Sequence, residues 1–156
     1  MQIEGKIGEF IDYFKTIETG NADLKFFLYG GVELGIDRAV GDPFFAYPML
    51  WLEQPSVQLT CNDMGLWSNK YKCAFSVITK ADMDSYTEQE AASASTFALA
   101  GVVIKKLIDD AKFYKLVNVR KGFELDEVDR GWAMNHIGWR VAFEMEMVAR
   151  TWLNGI

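Results

Sequence analysis

Toward the end of the chain, Trp139, Val141, Phe143, Met145 and Met147 alternate with Arg140, Ala142, Glu144 and Glu146. A period of two predicts a strand over residues 137–148, with its odd-numbered side chains turned to the core. Ile137, Val141, Met145, Val148 and Trp152 also stand at helical spacing, but strict alternation of Trp, Val and Phe favours the strand. Elsewhere the period changes. Ile3, Ile7, Phe10, Ile11, Phe14 and Ile17 recur every three or four positions, which predicts a helix over 3–18, ended by Gly20-Asn21. Residues 25–29 suit a short strand, and the glycines and prolines from Gly30 to Pro48 suit an irregular loop. Residues 49–61 read as a strand interrupted at Pro55, and Tyr71, Cys73, Phe75 and Val77 as the inward side of a second. These two form a hairpin whose long loop carries Leu66 and Trp67.

Thr87-Glu-Gln-Glu90 has the form of a capping box opening a helix to about Ala111. Its expected stripe is Phe97, Ile104, Leu107, Ile108 and Ala111, with Lys105, Lys106, Asp109 and Asp110 facing water. Residues 115–126 read as an irregular strand pair or a strand kinked at Gly122, and the stretch up to His136 as a loop. The expected fold class is α+β: a mostly antiparallel sheet, one long central helix packed on it and an N-terminal helix. At 156 residues, half of them apolar, the chain suits a single domain over 1–156, with a C-terminal arm at 149–156.

Charge and cysteine content narrow the classes. Twenty-two acids against 16 bases leave a net charge of −6, which disfavours a sequence-reading nucleic-acid binder or an anionic membrane surface as target. Cys61 and Cys73 match no zinc spacing, and two buried free thiols in a reducing compartment are expected. The acidic, charge-interrupted start is unlike a signal peptide, and no run of about 18 apolar residues predicts a membrane span.

Candidate chemistry is sparse. His136 is the only histidine and has Asp126 and Asp129 near it in sequence, but no nucleophile signature accompanies it. Glu124, Asp126, Glu127 and Asp129 lack the spacing of a calcium loop, and Gly30, Gly31 and Gly35 lack the lysine and hydroxyl of a phosphate loop. The expectation is a protein without a catalytic centre, metal or cofactor. Large apolar residues where a monomer gains little are the stronger signal. Leu66, Trp67, Trp152, Leu153 and Ile156 are therefore candidate interface residues, joined by Arg140, Glu144 and Glu146 on the outward side of the last strand.

The pieces IGEFIDYFKTI, AYPMLWLE, YKCAFSVITKAD, TEQEAASASTFALAGVVIKKLIDDAK and GWRVAFEMEM, in that order, resemble the tail-completion, tail-terminator and neck-ring proteins of tailed bacteriophages. The glycine-rich segment at 30–41 and the long 112–136 connection depart from that pattern. The resemblance implies a non-enzymatic subunit of a closed homo-oligomeric ring, a hexamer or dodecamer. Such a ring sits in the neck or tail of a virion assembled in the bacterial cytoplasm, touches portal, neck or tail proteins, and has no membrane partner. DNA passes through its lumen without sequence-specific binding, and an acidic chain suits that passage. Two other classes remain open. One is a ligand-binding domain or enzyme with a pocket lined by Trp51, Phe75, Phe97 and Trp139; the other is a bacterial adaptor or chaperone.

Overall fold

The structure, a computed structural model, describes residues 6–30, 41–114, 117–128 and 135–148. The predicted arm and most of the 30–41 glycine segment lie outside the described residues. The element order is α1 (Ile7–Thr19), β1 (Phe26–Tyr29), β2 (Met49–Leu52), β3 (Ser56–Cys61), β4 (Trp67–Lys80), α2 (Tyr86–Tyr114), β5 (Val117–Glu127) and β6 (His136–Val148). The fold is α+β, as the pattern predicted.

Strand β4 is the spine of the sheet. β6 runs antiparallel along it from Ser68↔Val148 to Lys80↔His136, and β5 flanks β6. On the other side of β4, β3 pairs with its first half and β2 with its second. β1 adds to β2 in parallel, so the sheet is mixed at that one pair and antiparallel elsewhere. The two-residue period of β6 then decides its burial. Val141, Phe143, Met145 and Met147 are buried, while Arg140 is exposed. Gly138 is dictated by closeness, since a Cβ there would stand 2.1 Å from the Val77 carbonyl oxygen.

Both helices cover one face of the sheet. Phe10, Phe14 and Ile17 of α1 and Ala100, Val103 and Leu107 of α2 join Tyr71, Phe75, Val77, Val141 and Phe143 in the main core. Each fully buried large side chain contributes about 1.5–3 kcal/mol. Phe10 lies flat on Tyr71 with centroids 4.7 Å apart. The seam between the helices is polar: the Tyr13 hydroxyl donates to Asp110 Oδ2 at 2.6 Å, and Lys106 Nζ to Oδ1 at 2.9 Å. On the opposite face a smaller cluster holds Leu28, Met49, Trp51, Ile78 and Val128.

Several local expectations are corrected. The hairpin loop is short: Trp67 already pairs with Cys61, because the Asn62 side chain accepts from the Met64 and Leu66 N–H groups and closes a tight turn. Cys61 is exposed, and Cys73 alone of the two thiols is buried. The cap of α2 lies two residues earlier than Thr87. Ser85 Oγ accepts from the Glu88 N–H at 3.2 Å, and Glu88 Oε2 accepts from the Asp82 N–H at 2.9 Å. The buried stripe of α2 is Ala92, Thr96, Ala100, Val103 and Leu107, while Phe97 and Ile108 remain 49% and 40% exposed. Small residues lie on both sides of the helix, and Ala92, Thr96 and Ala100 are the ones that its packing on the sheet buries. Asp110 is buried rather than facing water, held by Tyr13 and Lys106. β5 is one strand, with a register shift between Arg120 and Phe123 where Gly122 takes φ +83.

Candidate docking surfaces

The titratable residues are built into the fold. His136 opens β6, is buried, and its Nε2 shares a 2.5 Å hydrogen bond with the Tyr47 hydroxyl. Burial pushes the Tyr47 phenol above its ordinary range. The Cys73 thiol is pushed up by burial and, secondarily, by the Glu144 charge, which disfavours the thiolate that a nucleophile needs. Among the described residues, no group of three or more His, Cys, Asp or Glu side chains could hold a metal. A groove of about 590 Å³ beside the start of α2 is lined by Phe97, Trp139, His136, Glu90 and Glu127, with Phe97 and Trp139 edge-to-face at 5.1 Å. Trp51 belongs to the opposite cluster and Phe75 to the main core, so the four residues expected to share one pocket do not converge.

The candidate interface residues separate into two regions. Arg140, Glu144 and Glu146 stand on the sheet face away from the helices, each already engaged. Arg140 Nε donates to Glu53 Oε2 at 2.8 Å, Lys70 Nζ lies 3.4 Å from Glu144 Oε2, and Ser68 Oγ donates to Glu146 Oε1 at 2.7 Å. Beside them is a shallow depression of about 450 Å³ that includes Ala74, Ala142, Lys72 and Glu124. Arg140 is exposed and Lys70, Glu144 and Glu146 are half-buried, so the face stays polar. Leu66 is half-buried in the β3–β4 turn. Trp152, Leu153 and Ile156 lie outside the described residues.

Trp67 belongs to the second region. On β3 the partners Val57↔Tyr71, Leu59↔Asn69 and Cys61↔Trp67 set these side chains on the helix-covered face, but at the end the helices do not reach. Ile7, Val57, Leu59 and Trp67 remain 43%, 46%, 45% and 40% exposed. A groove of about 560 Å³ runs among Lys6, Ile7, Val57, Leu59, Asn69 and Tyr71. Burial pushes the Tyr71 phenol up to about 12; a hydrogen bond with Asn69 opposes that shift, and the charges of Glu9 and Cys73 add to it. Sequence reasoning singled out Trp67 and missed Ile7, Val57 and Leu59. The signal was present in SVQLTC, a strand with alternate apolar residues and no charge.

A second uncovered apolar surface is the outer side of α2, where Ala91, Ala94, Phe97, Ala98, Gly101 and Val102 are exposed. The run AASASTFALAGVVI carries no charge. By length and composition, Tyr86–Ala111 is apolar enough to cross a membrane, although serines and threonines interrupt its apolar run. Ala100, Val103 and Leu107 pack it against the sheet, as in a core helix with one side left open.

No protein-family model matches the chain, and no curated protein matches it.

Proposed function

We propose that this protein is a non-enzymatic structural subunit of a closed ring in the neck or tail of a tailed bacteriophage, a head–tail connector or tail terminator. The observation that carries the reading is the pair of uncovered apolar surfaces on separate parts of one small fold: the β3 end of the sheet, and the outer side of α2. Monomers rarely leave such surfaces contiguous and open. Two different patches on one chain suit a heterologous, head-to-tail contact, which generates a ring when the rotation closes. The engaged state of His136, Cys73 and Asp110 fits a chain whose polar interior serves packing. The acidic balance of −6 suits a lumen through which DNA slides. In this reading the neighbours are further copies of the chain, in a hexamer or dodecamer, and portal, neck or tail proteins of the virion.

The test is native mass spectrometry with negative-stain microscopy of the purified chain, alone and with phage neck extracts. A closed ring of defined order is the expected result. A monomer under all these conditions overturns the reading. The groove at Phe97, Trp139 and His136 favours a second reading, a small-ligand-binding domain, and a saturable ligand on a stable monomer would select it.

A further inference from the structure

We infer that the open edge of β3, with the groove beside it, receives residues 149–156 of a neighbouring copy as an added strand. The inference rests on the ring reading above and names the contact that closes it.

The edge itself is the first argument. Among the described residues β3 pairs with β4 alone, so its outer backbone edge presents a template for another strand. Natural edges are blunted by charge, proline or a bulge. β5 at the far edge follows that rule, with Arg120, Lys121, Glu124 and Asp126 in its sequence and the Gly122 bulge. SVQLTC has none of these protections. Beside it, Val57 and Leu59 are nearly half exposed over the groove. An edge with this chemistry takes an extended, apolar, weakly charged segment.

The chain carries such a segment. ARTWLNGI follows β6 and holds one charge, Arg150. At the two-residue period of a strand, Trp152 and Ile156 share a side, which matches the alternate exposure of Val57 and Leu59. Eight residues extend to roughly 27 Å, against about 20 Å for the six residues of β3.

Reach decides whose arm it is. β6 ends at Val148, opposite Ser68 of β4, and β3 lies on the other side of β4. The outer edge of β3 is therefore three strand spacings from β6, about 14 Å. Crossing that distance takes about four residues at about 3.4 Å each, which uses up 149–152, so the arm of the same copy cannot set Trp152 beside Val57 and Leu59. An arm from a neighbour has no such crossing to make and can pair along the whole of β3. The contact is then head-to-tail: each copy gives one arm and receives one.

Three forms of the chain test this by sedimentation velocity and native mass: the full chain, a truncation lacking 149–156, and full-length Leu59→Lys, which charges the groove but keeps the arm. The full chain assembles, and each variant alone is monomeric and folded. Mixed one to one, they form a two-chain pair and nothing larger, because only one arm and one groove are functional between them. Trp152→Ala in the full chain repeats the truncation without shortening it and weakens association at least about 30-fold. Assembly of the truncation like the full chain overturns the inference and leaves the ring reading intact; assembly of Leu59→Lys like the full chain overturns it too and takes the β3 end out of the ring contact. The inference is also overturned by a mixture that stays monomeric, or by a concentration-independent loss of thermal stability in both the truncation and Trp152→Ala, which would assign the arm to its own core. A full chain that is monomeric at every concentration overturns the ring reading as well.

Discussion

The helix-covered face of the sheet has two ends that look alike in sequence and differ in fate. At one, Phe75, Val77 and Val141 lie under α1 and α2 with no exposed surface. At the other, Val57 and Leu59 point to the same side but retain nearly half their accessible surface. Tyr71 marks the border: it stacks on Phe10 of α1, and it also lines the open groove. Alternation says which way a side chain points. Whether anything covers it depends on where the helices lie, and α1 starts at Ile7, itself 43% exposed. The covered end supplies stability, and the uncovered end is the surface proposed above to dock a neighbour.

The sharpest way to break this comparison is to truncate the covered end. Phe75→Ala should cost about 3–5 kcal/mol and Leu107→Ala about 2–5 kcal/mol in urea unfolding. Ile104, only partly buried, should cost less than Leu107. A loss below about 1 kcal/mol at Phe75 would mean the covered end is not the core.

The border residue responds to pH. The Tyr71 phenol is raised from 10 to about 12, mainly by burial. The unfolded chain therefore loses this proton first. The stability that the neutral phenol contributes is complete below pH 10 and is lost as pH rises toward 12. The loss is on the order of 2–3 kcal/mol at the upper limit. The raised Cys73 thiol acts in the same direction. Urea midpoints between pH 9 and 12 should fall for the natural chain and fall less steeply for Tyr71→Phe. Identical slopes would place Tyr71 in solvent.

The helix seam comes next in size. Tyr13→Phe removes a 2.6 Å donor to buried Asp110 and should cost about 1.5 kcal/mol, because Lys106 still satisfies the carboxylate. The smallest effect on folding belongs to the open end. Val57→Ser or Leu59→Ser should change unfolding free energy by no more than about 1 kcal/mol while reducing self-association in sedimentation. A folding cost comparable to that of Phe75→Ala would erase the distinction between the two ends.

Much of the fold was legible in the chain because each element carries its own period. The alternation over 139–147 is β6, the three-four spacing of Phe10, Phe14 and Ile17 is α1, and Pro55 falls between β2 and β3. These are local consequences of side-chain geometry, and no distant residue is needed to read them. The stripe of α2 was misread for the complementary reason. Its sequence is apolar nearly all round, so periodicity could not choose a side; the close approach of Ala92, Ala100 and Val103 to the sheet made the choice and left Phe97 half exposed against Trp139. The candidate site divides in the same way. Trp67 stood out because a large aromatic beside a turn is unusual, whereas Ile7, Val57 and Leu59 look like ordinary core residues in sequence. Residue type and spacing determined the elements and the faces they present. Only the tertiary structure decided which apolar face stays open, because coverage depends on the reach of helices distant in sequence.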